Sequence, residues 1–174
     1  MFWDSALRNT LAFLYYLVYY FEKGKIPMRI TTRGRYALRA SIAMARLAKD
    51  GVPVSIRQLS EHEKISPVFL EQIFYKLRKA GIVDSVRGPG GGFLFAQPLD
   101  GLTVKAILDA AGEGMILSPC GNKKTICDRM NDCVSFAIWA DATKMVNDYF
   151  ESMTLGAILT KYKDTMDISA NTCP

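Results

Sequence analysis

Hydrophobic positions along this chain change register several times, and each register predicts an element. Tyr36, Ala40, Ala43 and Leu47 recur at 4-3-4 spacing, which lays an apolar stripe along a helix ending near Asp50-Gly51. Arg33, Arg35 and Arg39 fall near its start. Ser55-Ile56-Arg57-Gln58 has the capping-box spacing, a hydroxyl for an orphan amide and a glutamine that reaches back, so a short second helix is expected to about Glu63. Ser66-Pro67 starts a third, Ser as cap and Pro in the first turn, where its missing N–H costs nothing. There Leu70, Ile73, Phe74 and Leu77 occupy i, i+3, i+4 and i+7, and Gly81 supplies a left-handed stop. Val68, Glu71, Gln72, Tyr75, Lys76, Arg78 and Lys79 point away from that stripe. Residues 82–86 and 93–96 read as short strands joined by Arg87-Gly88-Pro89-Gly90-Gly91-Gly92. Helix, turn, helix, hairpin is the order of a winged helix-turn-helix, mainly α with a small β-hairpin wing.

The second half has a different pattern. Thr103 caps a helix with Val104, Ile107, Leu108 and Ala111 at i, i+3, i+4 and i+7; Leu102 can staple onto Ile107, and Gly112 and Gly114 end it. Residues 115–132 show no sustained period. Val134, Ile138, Ala142, Met145, Tyr149 and Met153 then step 4-4-3-4-4, a stripe about 28 Å long at 1.5 Å per residue. A helix that long in a small domain points to a partner, and a homodimer through the 134–153 helix is expected, with intrachain packing as the alternative. Thr154 caps a short last helix through Leu159, and 163–174 read as a loose tail.

Charge sharpens this division. The 174 residues carry a net +5, yet residues 28–100 hold 12 Lys/Arg against 6 Asp/Glu, while residues 101–174 hold 7 against 9. The excess on the winged half suits a polyanion, although a solvated basic face has the same composition. A helix with a polar outer face and an anchored inner face fits the major groove. Glycines let the hairpin backbone approach phosphates, and Arg87 at the loop's root can neutralise one or enter a narrow groove. A nucleotide cradle would need Gly-Lys-Ser/Thr before a helix, whereas Gly92 leads into Phe93 and a strand. A bare flexible hairpin tip remains the plainer account of the glycines.

The first 27 residues stand apart. Eight of the 19 aromatic residues fall within the first 21 positions, but the longest apolar run there, 11–21, is too short for the roughly 20 residues of a membrane span. Within those 21 positions only Arg8 is basic, and no small-residue cleavage pattern follows, which argues against a secretory signal. Glu22-Lys23-Gly24-Lys25 can be encoded by a purine-rich run resembling a bacterial ribosome-binding site. Translation is therefore expected to begin at Met28, with 1–27 a mis-assigned extension.

Three of four cysteines cluster as C-x6-C-x5-C: Cys120, Cys127 and Cys133; Cys173 lies in the tail. Without an export signal they are expected to be reduced. Thiolates gathered in a polar loop suit a soft metal centre, iron–sulfur or zinc, and the spacing is wider than the C-x2-C knuckles of structural zinc. Chance clustering and a thiol switch stay open as alternatives.

Met28 to Ala37, the run from Ile65 to Val83 and Ser85-Val-Arg-Gly-Pro-Gly-Gly-Gly-Phe93 together resemble the Rrf-type winged-helix regulators, in particular their iron–sulfur cluster regulator (IscR-like) branch. The likeness covers about residues 28–160. It implies a cytoplasmic bacterial transcription regulator that is dimeric on promoter DNA, not an enzyme, with a DNA-binding unit at 28–100 and a cluster loop and dimerisation helix at 101–162. By motif, Glu71 and Gln72 would face bases, Ser66 and Phe69 would lie at the groove entrance, and Arg87 with Gly88, Gly90, Gly91 and Gly92 would form the wing. Cys120, Cys127 and Cys133 match the family's cluster cysteines, with a 2Fe-2S cluster favoured over 4Fe-4S. Two departures matter: six residues rather than five separate the first two cysteines, and Phe136 stands where that branch has a histidine. His62, the only histidine, is read as a surface residue or phosphate contact. The fourth ligand is thus open among Asp128, Asp132, Cys173 and an outside donor. A related nitric-oxide-sensing branch takes an acidic residue from the start of helix one, but Arg35 stands there. Direct thiol or zinc sensing is the rival within the same DNA-binding class; a non-DNA adaptor is the rival outside it.

Overall fold

A computed structural model describes residues 30–48, 51–118 and 132–163. The expectations for 1–27, Cys120, Cys127, Asp128, Cys173 and the tail from 164 lie outside those residues. Among the described residues the elements are α1 (Thr32–Leu47), α2 (Ile56–Glu63), α3 (Pro67–Lys79), β1 (Val83–Val86), β2 (Gly92–Phe95), a 3-10 turn (Leu99–Gly101), α4 (Val104–Ala111), α5 (Val134–Ser152) and α6 (Leu155–Lys161). Winged helix-turn-helix architecture follows from the first five.

Local chemistry sets most boundaries. At α2 both halves of the capping box form: the Ser55 hydroxyl accepts from the Gln58 amide, and the Gln58 side chain accepts from the Ser55 amide. Ser66 caps α3, with Pro67 in its first turn. Lys64, between those helices, is left-handed at φ 56°, which makes the tight turn. Gly112, at φ 92°, closes α4.

The core sits where α1, α2, α3 and α4 meet. Leu70, Ile73, Phe74 and Leu77 of α3 are fully buried, as their spacing predicts. In α1 the buried face half coincides with the predicted one, sharing Ala40 and Ala43 with it. Ala37, Ala40, Ala43 and Met44 are buried, while Tyr36 and Leu47 only flank them. Alanines allow close helix approach, so the inward face is rich in small side chains, with Met44 as its large member, and is rotated from the predicted stripe toward Ala37 and Met44.

β1 and β2 pair antiparallel, Val83 opposite Phe95 and Val86 opposite Gly92, one residue displaced from the predicted strand limits. Val54 adds a bridge to Phe93, with hydrogen bonds of 3.0 and 2.9 Å in the two directions. Phe93 packs on Phe74 at 4.8 Å between ring centroids, which seats the hairpin on α3.

In the second half, the starts of α4 and α6 are joined backbone to backbone: the Val104 amide donates to Met153 and the Leu155 amide to Leu102, at 2.8 and 2.9 Å. The long helix α5 buries no residue in the single chain. It ends at Ser152, so Met153, the last member of the predicted stripe, is its cap. No helix among the described residues is long and apolar enough to cross a membrane.

Candidate nucleic-acid interface

The outward face of α3 is built by the burial of its inward one. With Leu70, Ile73, Phe74 and Leu77 fixed inside, helical geometry turns Val68, Glu71, Gln72, Tyr75, Arg78 and Lys79 to solvent, and all six are exposed. Lys76 departs from expectation. Its ammonium donates to the Ala111 carbonyl at 3.1 Å, capping the C-terminal end of α4, where a cation is favoured. Phe69 is half-buried, edge-on to Tyr36 at 5.8 Å, and therefore belongs to the rim of the core as much as to the outer face. Ser66 is exposed at the helix start with its oxygen accepting from the Phe69 amide at 3.3 Å.

Beside α3 stands the hairpin. Arg78 donates to the Ser85 hydroxyl of β1 at 3.2 Å, and its guanidinium lies 6.0 Å from the Tyr75 ring centre. Helix and wing are thus tied at the C-terminal half of α3, a link that spacing along the chain does not reveal. Arg87 is exposed, with no carboxylate partner among the described residues.

The wing glycines divide by cause. Gly88 and Gly90 take φ of 101° and 75°, left-handed values that favour glycine, and face open space. Gly91 and Gly92 are needed for close approach: a Cβ on Gly92 would lie 2.5 Å from the Val54 carbonyl oxygen, and one on Gly91 2.4 Å from that of Val86. The last two shape the hairpin; the first two leave its tip open to solvent.

Other charges are committed to the fold. Arg39 grips the end of α2, its guanidinium donating to the Glu63 carboxylate at 2.9 and 3.0 Å and to the Glu63 carbonyl at 3.0 Å. His62 is exposed, with Nδ1 3.0 Å from the Glu63 carboxylate, a surface position as expected.

Of the candidate cluster ligands, Cys133 and Asp132 fall among the described residues. Cys133 forms the N-cap of α5 and is partly exposed. The Ser135 hydroxyl, 3.4 Å from its sulfur, holds the thiol below its ordinary pKa, helped by the Phe136 amide and opposed by slight desolvation. Asp132 is exposed next to it. No cluster of three metal-ligating side chains occurs among the described residues.

A helix with a solvent-facing polar surface, seated after a tight turn and beside a glycine-rich hairpin with an exposed arginine at its root, defines a DNA-binding transcription regulator of the winged helix-turn-helix class. The chain belongs to the Rrf2 family, whose model, described as an iron-dependent transcriptional regulator, matches residues 30–161. It is similar to the HTH-type transcriptional regulator IscR of Yersinia pseudotuberculosis, 36% identical over 142 residues that cover 82% of this chain and 85% of the relative. Among solved structures it resembles CymR, the global cysteine regulator of B. subtilis, with a TM-score of 0.64 and 25% identity over 77% of this chain and 98% of that one. T. potens IscR is similar at a TM-score of 0.62 and 26% identity, covering 86% of this chain and 95% of its own.

Proposed function

We propose that the chain acts in the bacterial cytoplasm as a homodimer that binds double-stranded promoter DNA through α3 and the wing. Its DNA affinity would answer to an iron–sulfur cluster held by Cys120, Cys127 and Cys133. In this reading residues 28–100 read DNA, Glu71 and Gln72 face bases, Ser66 and Phe69 border the groove, and Arg87 with Gly88 to Gly92 meets the backbone. Residues 101–162 carry the cluster loop and the dimer helix, and 163–174 form a tail.

The observation that carries the DNA reading is the exposed outer face of α3 linked by Arg78 to the wing. Support for the cluster comes from the likeness to IscR and from Cys133, whose environment favours the thiolate that binds iron. When bound, such a cluster supplies a one-electron, oxidant-sensitive centre. Asp132 beside it, with Asp128 and Cys173, offers the fourth donor; a carboxylate is a harder, weaker iron ligand than a thiolate, so a labile cluster is expected. The same lowered thiol favours a second reading, direct thiol oxidation or zinc binding.

Anaerobic purification separates these. Visible absorbance with iron and sulfide, lost in Cys127→Ala, is the outcome expected of the cluster; a colourless, iron-free protein would overturn it. For the DNA reading, sequence-specific binding must fall steeply with ionic strength, and a salt-indifferent interaction would contradict it.

A further inference from the structure

Charge and hydrogen bonding do not account for Val68. It is 66% exposed in the first turn of α3, where a β-branched residue gains nothing in helix propensity and leaves an isopropyl group in water. Val68, Gln72, Tyr75 and Lys79 step 4-3-4, a single stripe on the side opposite Leu70, Ile73, Phe74 and Leu77. Arg78 and Ser85 hold the C-terminal half of this face to the hairpin. The N-terminal half, with Val68 at its centre, projects beyond that link, and the N-terminal residues of a recognition helix are those that reach base edges.

A protein partner would call for a contiguous apolar patch, but exposed Ser66, Glu71 and Gln72 interrupt the surface around Val68. Val68 is the one aliphatic side chain on the stripe it shares with Gln72, Tyr75 and Lys79, and an isolated aliphatic group matches an isolated methyl in the target. The major groove offers one on a base edge, the 5-methyl of thymine, whereas a glutamine one turn away is suited to adenine. We propose that Val68 is a specificity-determining residue that packs on a thymine 5-methyl group, next to the base met by Gln72. This rests on the DNA-binding reading above.

The experiment uses the full chain and duplexes enriched from a random DNA pool. Failure to enrich any sequence counts against DNA binding itself, and so against this proposal with it. On an enriched duplex, each thymine is exchanged in turn for deoxyuridine, which removes the methyl and keeps the pairing. At one position per half-site the affinity of the native chain is expected to fall about fourfold, the worth of one buried methyl. Val68→Ser, at an exposed position that leaves the core untouched, is expected to bind the two duplexes equally. Indifference of the native chain to every exchange, or an equal loss in Val68→Ser, overturns the assignment while DNA binding stands.

Discussion

Glu113 is a buried carboxylate, 8% exposed, and it accepts from both the backbone amide of Thr31, at 3.1 Å, and the Thr31 hydroxyl. It thereby sits at the N-terminal end of α1, where unpaired amides and the helix dipole favour an anion. Gly34 makes the room: a Cβ there would lie 2.4 Å from the Glu113 Cγ. Gly34→Ala is expected to displace the carboxylate and lower stability by about 1–3 kcal/mol, seen as a lower urea midpoint at unchanged slope. An unchanged midpoint would show that the carboxylate moves aside freely. This contact joins residues 82 apart in sequence, so no local pattern announces it; Glu113 lies between two glycines that read only as a helix stop. A different residue-scale test concerns Cys133. Because the Ser135 hydroxyl lowers its pKa, its thiolate fraction near neutral pH exceeds that of an ordinary thiol. In a variant with Cys133 as the sole cysteine, the pH profile of alkylation should have its midpoint below the ordinary thiol value, and Ser135→Ala should move it upward. A profile unaffected by Ser135→Ala would remove the hydroxyl as the cause.

At the scale of elements, α3 and the hairpin form one unit, since Phe74 meets Phe93 and Arg78 meets Ser85. Leu77 anchors that unit at zero exposure. Leu77→Ala is expected to cost about 2–5 kcal/mol of stability, measured by denaturant unfolding, and to weaken DNA binding only through loss of folded protein. The wing separates shape from contact: Gly92→Ala should perturb the hairpin by collision with Val54, whereas Arg87→Ala should leave the fold intact and reduce the salt slope of DNA binding by about one. An Arg87→Ala slope equal to the native one would place Arg87 away from phosphate. Elements with large apolar residues at regular spacing, or with capping chemistry, were legible in the sequence: α2 with its capping box, α3, α4 and the glycine-rich hairpin. The inward face of α1 was half legible: Ala40 and Ala43 lie on the predicted stripe, but Ala37 and Met44 are buried in place of Tyr36 and Leu47, because alanine's hydrophobic signal is weak beside that of larger residues. Lys76 misled for another reason. Its spacing sets it near the outer face, but a long flexible side chain reaches back to a helix terminus that only the tertiary fold brings close.

Taken as a whole molecule, the chain divides its chemistry: an excess of cations in the winged half, and in the other half an apolar helix without a buried residue. Val134, Ile138, Met145 and Tyr149 are 76%, 59%, 72% and 56% exposed along one stripe of α5. Intrachain packing, the alternative reading of this periodicity, leaves them uncovered among the described residues. Exposing such a stripe in water is unfavourable, and in the proposed homodimer a second copy of the same helix would cover it with matching spacing and set two α3 helices against two half-sites. Ile138→Glu with Met145→Glu tests this without harming the core, because neither residue is buried in the single chain. Sedimentation of the native protein at micromolar concentration should give a dimer and the double variant a monomer, with helical content nearly unchanged. On a duplex with two half-sites the variant should lose most of its affinity, since each copy would then bind alone, while retaining weak, salt-sensitive binding through Arg87 and the face of α3. A double variant that stays dimeric and binds as tightly as the native chain would move the dimer interface away from α5 and leave its apolar stripe without an explanation.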